Sequence, residues 1–248
     1  SLSMILMTCR CDLAIIHDRH DTLFGGKLPA PNEDTLGPLA AVVMDRYRCD
    51  LGIATDGDAD RLGVIDDQGQ FVHPNKLLVL LYYYLVKYRG WQGPCVRNNS
   101  TTVLLDRVAA GLGQNCYEVP VGFKWVSAKM TETDAIIGGE SSGGLAVRGH
   151  ISGKDGIYAA ALLVEMLAVT GKKLSALYRE IEAQHACPEF ENVDHISRED
   201  GCKVYFTDGS WVICRFSGTE PLLRMAAEAE TDEKAQSYIQ TWKAFLSL

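Results

Sequence analysis

The 248-residue sequence has no apolar run long enough to cross a bilayer. Its longest, LLVLLYYYLV at 77–86, is half the roughly 20 residues a spanning helix needs. Lys76 and Lys87 bracket that run, so it reads as a buried helix and no membrane partner is expected. A secretory leader is also missing: SLSMILMTCR has neither a basic n-region nor a sustained apolar core, which points to the cytoplasm. Positive charge is scarce. With 24 basic residues against 32 acidic ones the formal charge is -8, so no basic blanket exists for nucleic acid, and any anion must be held by a local site. Paired C-x-x-C knuckles are absent, and none of the six histidines stands in metal spacing with another. His73, His150, His185 and His195 are therefore read as structural or exposed. The eight cysteines (Cys9, Cys11, Cys49, Cys95, Cys116, Cys187, Cys202, Cys214) read as free thiols, with Cys9 and Cys11 expected on a terminal strand. Low-complexity tracts are missing too, and a chain 47% hydrophobic and 23% charged is expected to fold.

Alternation of element types organises the rest. From Cys11 to Val72 the order is an apolar strand (DLAIIH), a Gly- and Pro-rich loop, a helix (TLGPLAAVVMDRYR) with its N-cap in Asn32 to Asp34, and a strand (LGIAT). From Pro74 to about Thr170 helices and strands repeat: NKLLVLLYYYLVKY, PCVRNN, TTVLLDRVAAGLG, NCYEVP, a helix opening at Gly122, AIIGG, and GIYAAALLVEMLAVT. Such alternation predicts a sheet covered by helices on both faces, with ligands at the carboxyl ends of its strands. A polar stretch, AQHACPEFENVD, leads to a tail with strands CKVYFTD, SWVICRF and LLRMAAEAE, a turn at Asp208-Gly209, and a closing helix. The expected fold class is α/β: two α/β domains with mixed, helix-covered sheets at 1–72 and 73–185, and an α+β module at 186–248.

The segment ATDGDADRLGVID places Asp56, Asp58 and Asp60 at the end of an apolar run and follows them with Arg61. Converging at about 4 Å, each pair of carboxylates would repel by roughly 4 kcal/mol at an effective dielectric near 20, a severe load for one domain. A divalent cation reverses the sign. Oxygen-only ligands select a hard ion, with Mg²⁺ the first choice, and the small spacers Gly57 and Ala59 allow alternate carboxylates to turn inward. An EF-hand would need Gly at its sixth position and Glu at its twelfth, where the chain has Arg61 and Asp67. A D-x-D-x-T nucleophile would need Thr in place of Asp60. A solvated acidic turn is the plain rival. Arg61 adds a planar fork suited to a phosphate oxygen.

Further loops suit a sugar phosphate. In ICRFSGTEPLLR, Arg215 precedes Ser217, Gly218 and Thr219, which could cradle an anion or form an ordinary hairpin. In IIGGESSGGLAVRGH, Glu140 and Ser142 sit among glycines, placed to grip vicinal hydroxyls or to form a flexible loop. Lys154 in GKDG offers a phosphate or general-acid partner, or a solvated surface charge. Gly122 and Lys124 of VPVGFKWV, and Arg97 of VRNNSTT, gain meaning only in that company.

Taken in order, DGDADR (56–61), VGFK (121–124), GGESSGG (138–144) and RFSGTEP (215–221) resemble the metal, substrate-facing, sugar and phosphate loops of the α-D-phosphohexomutases. These are the phosphoglucomutase and phosphomannomutase enzymes, and the resemblance runs from about Asp12 onward. It implies that Asp56, Asp58 and Asp60 bind Mg²⁺ and that Arg61 acts at the transferring phosphoryl group. It implies that Glu140 and Ser142 hold sugar hydroxyls, that Arg215, Ser217, Gly218 and Thr219 hold the non-reacting phosphate, and that Arg97, Gly122 and Lys124 line the cleft. The implied reaction interconverts hexose 1-phosphate and hexose 6-phosphate, of glucose or mannose, through a phosphoserine and a hexose 1,6-bisphosphate. Two departures qualify it. A Thr-Ala-Ser-His-Asn-Pro-like phosphoserine loop is not in the sequence, so a fragment without the N-terminal domain, its first α/β domain incomplete and inactive alone, is expected. Gly144 stands where many relatives carry histidine. The alternative from another class is a non-catalytic sugar-phosphate-binding or regulatory protein. The motifs do not separate glucose from mannose, they favour glucosamine phosphate less, and they leave oligomeric state open.

Overall fold

The bracketed apolar run does form a buried helix, and much of the larger unit is built around it. Helix α3 (Pro74–Lys87) buries every residue from Leu77 to Val86, as a helix apolar on all sides must. Its start is set by Pro74 at the first turn and by His73, whose ring nitrogen accepts from the Asn75 N–H at 3.2 Å. The computed structural model describes residues 2–19, 21–45, 49–185, 190–197, 201–216 and 223–246. Contacts divide the chain into two units, 1–182 and 183–248.

In the first unit a short helix α1 (Leu2–Thr8) precedes α2 (Gly37–Met44) and a three-stranded antiparallel sheet. Its strands are β1 (Gly52–Thr55), β2 (Leu62–Ile65) and β3 (Phe71–Val72), in the order β1-β2-β3 with Ile53 opposite Val64. Leu36, Val43 and Ile65 form the core beneath α2. The second sheet has the order β5-β4-β6-β7, from β4 (Cys95–Asn98), β5 (Cys116–Val119), β6 (Ile137–Gly139) and β7 (Leu145–Val147). The first three of these run parallel and β7 antiparallel. Helices α4 (Leu104–Gly111) and α5 (Phe123–Thr133) make the crossovers, and α6 (Gly156–Thr170) and α7 (Leu174–His185) follow β7. Successive residues of a strand point to opposite faces, so Val96 packs with Val126 of α5 while Cys95 meets Tyr82 of α3. Both faces are thus covered, which the uninterrupted burial of β4 requires.

The second unit is an antiparallel sheet in the order β11-β10-β9-β8 with α8 (Asp232–Leu246) against it. The strands are β8 (Val193–Ser197), β9 (Cys202–Phe206), β10 (Trp211–Phe216) and β11 (Leu223–Glu228). Alternation in β9 buries Cys202, Val204 and Phe206, which join Val212, Cys214 and Trp242 in its core. The expected turn carries Gly209 at φ +85°, and Asp208 Oδ1 accepts from the Ser210 N–H at 2.9 Å.

Several local expectations fail. DLAIIH is not a strand: among the described residues no neighbour pairs with it, and Ile15 is left 51% exposed. The residues around Cys9 are not a strand either, because 2–8 is helical and the chain turns at Arg10, φ +61°. Cys9 is exposed, and no disulfide joins the described cysteines. Helix α2 starts at Gly37 with Leu36 at its cap position, while Asn32 spends its side chain on the Thr35 N–H of the preceding turn.

Candidate functional site

Strand β1 delivers Asp56 into a tight loop that its own carboxylate closes. Asp56 is 7% exposed; Oδ1 accepts from the Arg61 N–H at 3.1 Å and Oδ2 from Arg61 Nε at 2.6 Å. A turn with Ala59 N–H on the Asp56 carbonyl at 3.2 Å, and Ala59 itself at φ +60°, gathers the three aspartates. One oxygen from each of Asp56, Asp58 and Asp60 lies within 4.8 Å of the others. Burial pushes the Asp56 carboxyl up, but the Arg61 backbone N–H and guanidinium outweigh it and hold the group below the usual carboxylate range. Asp60 lies 3.6 Å from Arg61 Nε and pairs with the Lys154 ammonium. Three negative charges therefore face two positive ones, and Asp58 is exposed. The donor set is all carboxylate oxygen, which fits a hard divalent ion such as Mg²⁺.

The loop is seated by backbone. Leu62 N–H donates to the Gly143 carbonyl at 3.2 Å, Arg61 bridges Gly144, and Gly156 N–H, at the start of α6, donates to the Ala59 carbonyl at 2.9 Å. A Cβ at position 156 would sit 2.8 Å from the Arg61 carbonyl oxygen and 3.0 Å from that of Ala59, so only glycine lets α6 approach. At position 144 a Cβ would lie 2.2 Å from Lys154 Cδ; Gly144 leaves room for the lysine stem to pass towards Asp60.

The carboxyl ends of the parallel strands meet the same region. Glu140 follows β6 in a turn closed by Gly143 N–H on its carbonyl at 3.1 Å, and its own N–H reaches the Gly144 carbonyl at 3.0 Å. Its Oε1 accepts from Asn98 Nδ2 at 3.0 Å, at the end of β4, and from the Gly122 N–H at 2.9 Å, beyond β5. Ser142 is exposed, and Ser141 Oγ stands 3.1 Å from Ser100 Oγ. Lys124 is exposed with its ammonium 5.0 Å from the centre of the Trp125 ring. Asp56, Asp58, Asp60, Arg61, Lys154, Gly122 and Glu140 are thus placed by strand ends or by the loops that seat them.

Arg97 departs from its expected role. It is 5% exposed; Nε and Nη2 reach Asp106 at 2.5 and 3.0 Å and Nη1 reaches Glu118 at 2.7 Å. Burial pushes its pKa down, but Asp106 and Glu118 outweigh that and keep it firmly protonated. The guanidinium braces β4, α4 and β5 and does not present a cation to the cleft. Arg215 lies in β10, opposite Arg224 of β11; Ser217, Gly218 and Thr219 fall outside the described residues. Asn98 is the contributor that sequence reasoning passed over. Its signal was a polar residue closing a buried strand ahead of Ser100 and Thr101.

Three family models match in chain order: phosphoglucomutase/phosphomannomutase α/β/α domain II over residues 2–69, α/β/α domain III over 73–185, and the C-terminal domain over 164–241. The chain belongs to the α-D-phosphohexomutase family. It is 31% identical to a phosphoglucomutase/phosphomannomutase of Thermococcus kodakarensis, over 97% of this chain and 56% of that one. It is 30% identical to a protein of Methanopyrus kandleri named as a probable phosphoglucosamine mutase, over 94% and 55% of the two chains. A solved phosphoglucomutase/phosphomannomutase family protein of Burkholderia thailandensis superposes with a TM-score of 0.66 at 25% identity, over 99% and 57%. This phosphohexomutase-family chain therefore spans just over half the length of the curated relatives it matches.

Proposed function

We propose that this chain carries the metal- and sugar-binding part of a mutase that interconverts hexose 1-phosphate and hexose 6-phosphate, of glucose or mannose, through a phosphoserine and a hexose 1,6-bisphosphate. The observation that carries the reading is the backbone join between the two loops. The aspartate loop accepts from Gly156 through the Ala59 carbonyl, and Leu62 at its end donates to the Gly143 carbonyl, so it is built against the Glu140 turn. Charge for a phosphoryl group and a grip for sugar hydroxyls thus arise in one body. Mg²⁺ bound by Asp56, Asp58 and Asp60 would neutralise the phosphoryl group in transfer. Arg61 and Lys154 bring two further positive charges to the same loop, and Glu140 and Ser142 orient the sugar. Arg215, Ser217, Gly218 and Thr219 hold the non-reacting phosphate, while Gly122 and Lys124 border the sugar. Most of the rate enhancement would come from positioning and charge neutralisation.

In this reading the three units at 1–72, 73–185 and 186–248 are domains of a cytoplasmic enzyme, and the 248-residue chain binds hexose phosphates without turning them over. The relatives named as phosphoglucosamine mutases bring amino-sugar phosphates into the panel. The test is ligand titration by NMR with glucose 1-phosphate, mannose 1-phosphate and glucosamine 1-phosphate, in Mg²⁺ and in EDTA, beside a coupled turnover assay. Selective, Mg²⁺-strengthened binding without turnover is expected. Robust conversion of glucose 1-phosphate by this chain alone would refute the division of labour, and indifference to every sugar phosphate would refute the function.

A further inference from the structure

Asn98 is 2% exposed, and every polar atom of its side chain is spoken for. Its Oδ1 accepts from the Ser100 N–H at 3.2 Å, Ser100 Oγ at 2.9 Å and Thr101 Oγ1 at 2.6 Å. The Ser100 N–H can only donate and the Glu140 carboxylate can only accept, so Oδ1 faces the first and Nδ2 points at Glu140 Oε1, 3.0 Å away. The Gly122 N–H reaches the same Oε1 at 2.9 Å. Gly122 holds φ +123°, a backbone that other residues rarely adopt, and that conformation presents its N–H there. Among the described residues nothing donates to Glu140 Oε2. One carboxylate oxygen is held by protein and the other is left to accept from a ligand.

We infer that Asn98 is the positioning residue for the Glu140 carboxylate: with the Gly122 N–H it pins Oε1, which aims Oε2 at hydroxyl hydrogens of the bound sugar. The ligand group this selects is a hydrogen-bond donor such as a sugar hydroxyl, since a phosphate oxygen would meet an acceptor and be repelled. The inference rests on the sugar-binding reading of the Glu140 turn. It joins the ends of β4, β5 and β6 in one device, and a loss at any of the three strand ends would loosen the same carboxylate.

The test uses the full chain and three probes, glucose 1-phosphate, its 3-deoxy and 4-deoxy analogues, and inorganic phosphate, all in Mg²⁺. In the wild type at least one deoxy analogue binds more weakly than glucose 1-phosphate. Asn98→Ala weakens glucose 1-phosphate about tenfold, towards that analogue, and leaves inorganic phosphate unchanged. Amide hydrogen exchange at Gly122 rises in the same variant, without any ligand. Because the Ala variant also strands Ser100 and Thr101, Asn98→Asp is the second arm. It keeps their acceptor and replaces only the donor, setting two carboxylates against each other; its sugar affinity falls at neutral pH and recovers towards pH 5 as a shared proton bridges the pair. A purely structural asparagine would give no such recovery. Wild-type sugar affinity in both variants, or an equal loss for inorganic phosphate, overturns the inference. Wild-type indifference to both deoxy analogues instead removes the sugar reading itself, and is seen before any variant is made.

Discussion

Replacing Asp58 should stabilise the chain without metal and weaken it with metal. Asp56 and Asp60 each have a cationic partner, Arg61 for the first and Lys154 with Arg61 for the second, whereas Asp58 is exposed and adds a third negative charge within 4.8 Å of the other two. At that separation each repulsive pair costs about 1 kcal/mol in a water-like dielectric and about 3.5 kcal/mol at an effective dielectric of 20. Exposure places Asp58 near the lower figure, and attraction to Arg61 and Lys154 offsets part of the total. Asp58→Asn in EDTA should therefore gain roughly 1 kcal/mol, or about 2–4 °C in the melting of the first unit. Mg²⁺ at one hundred times its Kd stabilises the wild type by about 2.7 kcal/mol, and the variant, short of one ligand and one charge, forgoes most of that. The order of the two melting temperatures thus inverts between the buffers. Differential scanning calorimetry reads the inversion, with near-ultraviolet circular dichroism of the buried Tyr82, Tyr83 and Tyr84 marking the first unit. A variant less stable by the same amount in both buffers, or one that Mg²⁺ raises as much as wild type, would refute the metal-loop argument.

Arg97→Met should lower stability by about 2–3 kcal/mol in denaturant titration, less than the loss expected for a wholly buried pair, because Asp106 and Glu118 are 37% and 54% exposed and regain water. Its affinity for glucose 1-phosphate should stay within about threefold of wild type, whereas a phosphate-binding arginine would lose about tenfold or more. Asp155→Ala removes the cap of α6, whose Ile157 and Tyr158 N–H groups both reach Asp155 Oδ1 at 2.9 Å, and should cost about 1 kcal/mol at neutral pH. Burial pushes the Asp155 carboxyl up, but His150 and those two N–H groups outweigh it and lower its pKa. The wild-type margin is then complete above the ordinary value of about 3.9 and shrinks as pH falls through the lowered one, which acid titration of both proteins would show.

What could be read in advance followed from chain-local physics. The run from Leu77 to Val86 had to be buried because no polar face exists for it, and the alternation from Pro74 to Thr170 required a helix-covered sheet. The crowding of Asp56, Asp58 and Asp60 pointed to a cation because repulsion grows with proximity alone, and the structure does bring their oxygens together. Partners distant in sequence were the blind spot. Arg97 was expected in the cleft on the family resemblance, yet Asp106 and Glu118, nine and twenty-one residues on, claim it. Asn98 was missed because its meaning lies in Glu140, forty-two residues away. DLAIIH had the composition of a strand, but a strand exists only where a neighbour pairs with it.

The charge balance of the aspartate loop also decides the order of events in the proposed site. Asp56, Asp58 and Asp60 against Arg61 and Lys154 sum to one net negative charge. A sugar phosphate approaching that loop meets repulsion before it meets any grip from Glu140, whose own carboxylate adds to the field. A divalent ion would change the sum to one positive charge and turn repulsion into attraction, so in the proposed site the metal would favour phosphate entry as well as the transfer itself. The backbone bonds from Leu62 to Gly143 and from Gly156 to Ala59 seat the loop that carries the three carboxylates, and the Arg61 N–H and Nε fix the Asp56 carboxylate within it. Folding therefore gathers the like charges in advance, and in the proposed mechanism metal binding would relieve their repulsion where a phosphoryl group is to be received.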